Sequence, residues 1–311
     1  MKGMLCTLVV AGAVLAIAAP AFAQGGTSST LAGVVVDNSG GVIPGANVVV
    51  KNDATGVSQD SVTNGQGAFS FPGLSVGTYT VTVTLQGFKT YVARNVVLTT
   101  GAPASVKAVL EVGGMTEQVT VSSSSEIIQT QSSTVSTTLN TNQITKLPLS
   151  SRSAMDFVNL LPGVSTPGGN RNATINGLPQ GVINITLDGV NIQDNTLKTS
   201  DGFFAIVSPR LDAIEEVTVT TASQGVDASG QGAVQIKFVT RSGTNQIDGS
   251  AYHYFRHPTL NSNYFFNQVN GLDENDVVVH QYGFRLGGPI VIPGVVDGRG
   301  KAFFFTNYER F

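Results

Sequence analysis

Gln281-Tyr-Gly-Phe-Arg-Leu-Gly287 alternates along its length, with Tyr282, Phe284 and Leu286 on one side of an extended chain and Gln281, Gly283 and Arg285 on the other. Successive strand residues point to opposite faces. An apolar face toward lipid and a polar face toward a lumen is the dyad of a membrane β-barrel strand. Working outward, Gly249 to Arg256 reads as an aromatic strand before it, Pro289 and Pro293-Gly294 as a turn, and Lys301-Ala-Phe-Phe-Phe-Thr-Asn-Tyr-Glu-Arg-Phe311 as a strand after it. These two flanking strands alternate less cleanly. So few strands cannot close a barrel, and an open edge in lipid leaves backbone groups unpaired at several kcal/mol each. Residues 246–311 are therefore expected to be the first strands of an incomplete transmembrane β-barrel, at the front of a longer outer-membrane protein.

Composition agrees with a strand-rich, secreted chain. Only 12% of the 311 residues are charged, against roughly a quarter in soluble domains, and 36 glycines with Val- and Thr-rich runs favour short strands joined by turns. A net charge of -3 argues against nucleic-acid binding, which calls for a basic patch. Residues 1–23 combine Lys2, an apolar run and an Ala21-Phe-Ala23 ending, and read as a signal peptide. The single cysteine, Cys6, leaves with it, so no disulfide or thiolate metal site is expected in the mature chain.

Residues 28–112 hold Val/Thr segments separated by Asn38-Ser-Gly-Gly41, Ile43-Pro-Gly45, Asn64-Gly65 and Leu85-Gln-Gly87. Short strands at that spacing predict a β-sandwich. Tyr79, Val81, Val83 and Leu85 share its buried face. Gly33-Val-Val-Val36, Pro44-Gly-Ala-Asn-Val48, Thr63-Asn-Gly-Gln-Gly-Ala-Phe69, Leu74-Ser-Val-Gly-Thr-Tyr79 and Gly87-Phe88 resemble the carboxypeptidase regulatory-like domain. That resemblance implies a transthyretin-like sandwich without catalytic groups. Asp37, Asp53 and Asp60 read as separate turn or surface acids rather than the 6 to 8 converging oxygens of a calcium site.

Residues 113–143 are Ser/Thr/Gln-rich and poor in large apolar side chains, which reads as a polar linker. Within it, Thr116, Glu117, Gln118, Val119, Thr120 and Val121 form an alternating extended peptide suited to adding a strand to a partner's sheet edge. The same pattern equally suits the last strand of the sandwich or the first of the next domain.

Residues 144–245 read as a mixed α/β unit. Ser151 and Ser153 can cap a short helix with Met155, Val158 and Leu161 at a spacing of three, ended by Pro162-Gly163. Strand-like pieces follow at 173–176, 182–187 with the turn Asp188-Gly189, 214–220 and 233–240. Leu147-Pro148, Asn159-Leu-Leu-Pro-Gly163, Thr174-Ile-Asn-Gly177, Leu187-Asp-Gly-Val190, Pro209-Arg-Leu-Asp-Ala-Ile-Glu-Glu-Val217, Gly230-Gln-Gly-Ala-Val234 and Thr240-Arg-Ser-Gly-Thr-Asn245 resemble, in order and spacing, the plug domain of TonB-dependent outer-membrane receptors. With the sandwich in front, the arrangement is similar to the Oar-like branch. The resemblance implies a plug-gated barrel, a periplasmic TonB-type energy-coupling protein that pulls on the segment Thr116 to Val121, an unidentified external ligand, and an outer-membrane location with the N-terminal domain in the periplasm.

The chemistry of an enzyme is missing from the sequence: there is no mature cysteine, no nucleophile motif and no metal-ligand spacing around His253, His257 and His280, so no cofactor, metal or catalytic residue is expected. Glu215-Glu216 is the sole adjacent carboxylate pair, and strand geometry splits it across two faces, one solvated and one available to an ion pair inside the unit. The competing reading is a secreted or surface β-rich binding or adhesion module that does no transport.

Overall fold

The computed structural model describes residues 27–100, 103–114, 118–122, 135–140, 143–144, 152–161, 163–165, 174–178, 182–193, 205–222 and 234–310. The expected signal peptide lies outside them. The chain is mainly β, with only short helical segments.

The first unit is the expected sandwich. One sheet holds β1 (Ser28–Asp37) between β4 (Ala68–Ser75) and β7 (Ala104–Leu110), with β1 and β7 parallel. The other holds, in order, β3 (Ser58–Val62), β2 (Asn47–Asn52), β5 (Gly77–Thr84), β6 (Thr90–Leu98) and β8 (Gln118–Ser122). The period-two pattern accounts for the packing: Tyr79, Val81 and Val83 of β5 are buried while the threonines between them are not. They meet Leu31, Val35, Phe69, Phe71 and Leu110 from the facing sheet. A Cβ at Gly33 would collide with the Val106 carbonyl and the Phe69 ring, so this glycine leaves the room that the ring occupies.

Asp37 closes the turn after β1. Its Oδ1 accepts from the Ser39 amide at 2.8 Å, the Ser39 hydroxyl at 2.6 Å and the Gly41 amide at 2.8 Å. The Ser39 hydroxyl, followed by the Gly41 amide, holds this carboxyl below the usual carboxylate value. A carboxyl depressed in the fold stabilises it above the unfolded-state pKa and loses that contribution as pH falls through the folded value. Between about pH 5 and about pH 2, the parent protein is therefore expected to lose more of its denaturant midpoint than Asp37→Asn, and equal losses would contradict this.

The second unit is a mixed five-stranded sheet. Its order is β13 (Val190–Asn191), β12 (Ile183–Leu187), β15 (Val234–Thr240), β14 (Ile214–Ala222) and β9 (Val135–Asn140), with only the β12/β15 pair parallel. A small hairpin of β10 (Val164–Ser165) and β11 (Thr174–Ile175) lies beside it. Asp188 and Gly189, at φ 49° and 81°, form the two-residue turn between Leu187 and Val190. Positive φ at both positions is what such a tight hairpin demands. The expected short helix is a 3-10 helix, Ala154–Leu160. Residues three apart eclipse in that geometry, which is why Met155, Val158 and Leu161 are all buried.

Two pieces of the expected linker are strands. β8 lies along β6, and β9 extends the second sheet on β14. A Ser/Thr-rich peptide too polar to make its own core still gains a full ladder of hydrogen bonds by borrowing the edge of a formed sheet, which composition alone does not reveal.

The third unit is an antiparallel sheet of β16 (Asp248–Arg256), β17 (Val279–Pro289) and β20 (Phe303–Arg310), with a hairpin of β18 (Val291–Ile292) and β19 (Val296–Asp297) in the connection between the last two. Tyr282, Phe284 and Leu286 are 41%, 44% and 40% exposed on the outer face, while Gly283 is buried on the inner one. β20, expected to alternate poorly, alternates at every residue: Phe303, Phe305, Asn307 and Glu309 turn inward and Phe304, Thr306, Tyr308 and Arg310 outward. Aromatics stand on both faces, which hides the period from hydropathy. No helix among the described residues is long and apolar enough to cross a membrane.

Candidate functional site

The inner face of the third unit is tied to the second by a cluster of charges. Ser153 caps the 3-10 helix, its hydroxyl accepting from the Met155 amide at 3.3 Å. The helix start is laced to residues 209–211: the Ala154 amide donates to the Pro209 carbonyl at 2.9 Å and the Leu211 amide to the Arg152 carbonyl at 3.2 Å. This lacing places Arg152, Arg210 and Asp212 side by side. Glu309 of β20 reaches them from the sheet, 3.5 Å from Arg152 Nε and 3.2 Å from Arg210 Nη1.

The Glu309 carboxylate also accepts from the Tyr252 hydroxyl and from Gln281 Nε2 at 2.9 Å. Arg152 pairs with Asp212, and its guanidinium carbon stands 4.0 Å from the Tyr252 ring centroid and 4.7 Å from that of Tyr254. Burial opposes the Arg152 charge, yet Asp212, with Tyr254 and Tyr252, holds its pKa above the ordinary value. Register explains how Tyr252 reaches Glu309 across an intervening strand. Gly283 is the partner of both residues, and a Cβ there would strike the Tyr252 hydroxyl at 2.5 Å.

Two further contacts join the sandwich to the rest. Thr100, just past β6, donates its amide at 2.8 Å and its hydroxyl at 2.6 Å to Glu216 Oε1 on β14. Asn245, between the second and third units, is a three-way staple. Its amide donates to the Ala54 carbonyl at 3.1 Å, its Nδ2 to the Thr55 carbonyl, and its Oδ1 accepts from the Gly300 amide at 2.7 Å. Around this junction lies an open cavity of about 630 Å³ lined in part by Asn52, Tyr79, Glu215, Arg241 and Phe303. Burial, together with the neighbouring Arg285 charge, lowers the pKa of Arg241.

Of the expected coupling segment, Thr116 and Glu117 lie outside the described residues. Gln118, Val119, Thr120 and Val121 belong to β8, parallel to β6, in register from Thr90↔Gln118 to Arg94↔Ser122. The peptide is thus extended, and it sits as the last strand of the sandwich. Glu215 and Glu216 divide across two faces as expected, with one correction: the buried Glu216, 4% exposed, takes hydroxyl and amide donors from Thr100 and Thr218, while Glu215 lies 3.9 Å from Arg241. Asp37 bonds within its own turn, and Asp53 accepts from the Thr80 hydroxyl of β5 at 2.8 Å. His253 and His280, far apart in sequence, meet on the outer face with ring nitrogens 3.2 Å apart. No group of three metal-ligating residues occurs among the described residues.

The sequence reading did not single out Arg152, Arg210, Asp212, Tyr252, Asn245 or Glu309. One signal was available: Glu309 is an ionisable residue on the inward side of β20, the side on which a membrane barrel strand carries its polar groups.

Three family models match in succession. Residues 30–111 match the carboxypeptidase regulatory-like domain, residues 112–235 the TonB-dependent receptor plug domain, and residues 239–311 an outer membrane beta barrel domain. Across these three matches the chain is similar to the TonB-dependent receptors. Among curated proteins, it is similar to the TonB-dependent transporter Oar of Myxococcus xanthus, 27% identical over 324 aligned residues that span 98% of this chain and 29% of that protein. The chain thus spans less than a third of the length of that relative. Among solved structures, it resembles the siderophore receptor PirA from Acinetobacter baumannii, at 23% identity over 50% of this chain and 22% of that one, with a TM-score of 0.37. Hydroxyquinol 1,2-dioxygenase from Pseudomonas putida DLL-E4 matches 30% of this chain and 59% of its own at 12% identity and a TM-score of 0.25.

Proposed function

We propose that this receptor chain forms the sandwich, plug and first barrel strands of an energy-coupled outer-membrane transporter whose plug is released on demand. The observation that carries this reading is the Glu309 cluster. A buried carboxylate on a strand bearing the membrane dyad is matched by two arginines on the unit that fills the inner side. Such a polar latch holds a plug in place yet yields to a modest load, since its partners can rehydrate one by one, unlike a fused apolar core.

The same geometry supports an orientation. Outer-membrane barrels have short periplasmic turns and long outer loops. Residues 257–278 make the longer connection, and residues 290–302 the shorter one, against which Asn245 pins the sandwich. The sandwich then lies on the periplasmic side, where a TonB-type protein reaches Thr116 to Val121, and the ligand enters from the other side. The proposed division of the chain is sandwich 28–112, connecting segment 113–143, plug 144–245 and barrel from 246.

The test is a photo-reactive residue at Thr120 of the native protein in whole cells. Crosslinking to the TonB-type protein, abolished by Val119→Pro, is the expected result, because proline removes a ladder donor and stiffens the strand. Recovery of the native protein from the soluble fraction, with no such crosslink, would sink the transport reading in favour of a secreted adhesion module.

A further inference from the structure

We propose that His253 and His280 form a two-histidine site for a late first-row divalent cation of the Cu2+, Ni2+ or Zn2+ class. It stands on the outer face of the third unit, where β16 and β17 run into the connection 257–278, on the opposite face from Glu309.

Sequence spacing does not bring these residues together; the strand register does. Phe255 lies opposite His280, and His253 lies opposite Tyr282, so the two histidines are diagonal neighbours on one face. Aromatic side chains reach each other across such a diagonal. His253 Nε2 comes to 3.2 Å from His280 Nδ1, with the ring planes within 10° of parallel and the centroids 5.4 Å apart. The Tyr282 ring, 6.2 Å from that of His253, and the Phe255 ring, 4.8 Å from that of His280, flank the pair. Two formed strands and two aromatic neighbours thus hold both imidazoles in place.

The separation of the nitrogens suits a metal. Zinc holds histidine nitrogens at about 2.0–2.1 Å, and two such bonds at a tetrahedral angle set the nitrogens roughly 3.3 Å apart. A right angle between the bonds, as in square-planar copper or nickel, sets them about 2.9 Å apart. The observed 3.2 Å lies between the two, so an ion bridges the pair without moving either strand. Only the rings need to turn, about a histidine χ2 that is broad. In the neutral pair one ring donates an N–H to the other. On binding, that proton passes to the second nitrogen of its own ring, a change of tautomer that leaves both imidazoles neutral. Imidazole suits these ions, whereas calcium and magnesium take oxygen donors.

Both histidines are exposed, which leaves the remaining coordination positions to water. Nδ1 of His257 is engaged by the Thr259 hydroxyl at 2.8 Å, so that nitrogen is not a third ligand. Phe255↔His280 is the pair next to the last, Arg256↔Val279, in the β16/β17 ladder. A bound ion therefore ties the two strands at the foot of the longer connection.

The test titrates Cu2+ alone onto the full-length protein, purified in detergent without a histidine tag, and onto its His253→Ala/His280→Ala variant. The double variant is the blank for copper held anywhere else. The parent is expected to bind one further equivalent, and the difference electron paramagnetic resonance spectrum to carry hyperfine splitting from two imidazole nitrogens. Losing even a supporting partner of a metal ligand costs about 10- to 100-fold in affinity, so His280→Ala alone should weaken that equivalent by at least about 10-fold. Equal stoichiometry and superimposable spectra for parent and double variant overturn the site, as does a further equivalent that His280→Ala leaves unchanged. Exposed side chains should be dispensable for folding, which equal thermal midpoints without metal would verify. Should the midpoints differ, His253→Gln/His280→Gln, closer in size and polarity, serves as the blank instead.

Discussion

Glu309→Ala should loosen the plug of the full-length receptor by roughly 3 kcal/mol, the lower end of the range for removing one partner of a buried ion pair. The Glu309 side chain is 2% exposed and receives four groups, from Arg152, Arg210, Tyr252 and Gln281. Deletion leaves the half-buried Tyr252 hydroxyl and Gln281 amide without this acceptor. The loss stays at the lower end for two reasons. Arg152 keeps Asp212, and Arg210, 41% exposed, is rehydrated by solvent. Arg210→Ala should accordingly cost less, about 1 kcal/mol or below, as an exposed pair does. Glu309→Gln, which retains an acceptor for Tyr252 or Gln281 but no charge, should fall between the two. The measurement is the denaturant concentration at which protease reaches the plug in the detergent-solubilised protein. Equal midpoints for parent and Glu309→Ala would remove the latch from the mechanism.

A loss of about 3–5 kcal/mol is expected for Phe157→Ala, the range for emptying a phenylalanine site in a core. Phe157 is fully buried on the 3-10 helix and belongs to the plug core that includes Ile185, Ile236 and Phe238. The cavity closes poorly, because the residues around it are held on a sheet whose register is tied by the Asp188 bonds to Thr240 at 2.9 and 2.7 Å. Leu160→Ala, on the same helix but 52% exposed, is the control and should lie within about 0.5 kcal/mol of the parent. A latch consequence also follows. Arg152 adjoins the Ser153 cap of this helix, so Phe157→Ala and Glu309→Ala should combine non-additively, with a coupling of about 0.5–3 kcal/mol for sites that share a network. Strict additivity would show that the helix packing does not position the arginine.

Local features were the legible ones. Alternation in 281–287 gave the lipid and inner faces of β17, the Asp188-Gly189 turn gave the β12 hairpin, and a spacing of three at Met155, Val158 and Leu161 gave the buried side of the helix. Each is a period or a turn requirement confined to a few neighbouring residues, and the backbone imposes it wherever the segment lies. The strand nature of 118–122 and 135–140 was harder, because neither has a strong period of its own. Both become strands by completing an edge supplied by β6 or β14.

By itself the amino-acid sequence determined a β-rich chain in three successive units, the inward and outward sides of its best-patterned strand, and a family resemblance that the domain matches bear out. Only the tertiary structure decided which charges matter. Arg152 and Glu309 are 157 positions apart, Thr100 and Glu216 are 116 apart, and Asn245 joins turns from two other units. Hydropathy and turn chemistry act between near neighbours, whereas an ion pair or a staple depends on where whole sheets come to rest. It also decided that residues 118–122 rest on β6, a choice between two strand partners that their alternating pattern satisfies equally well.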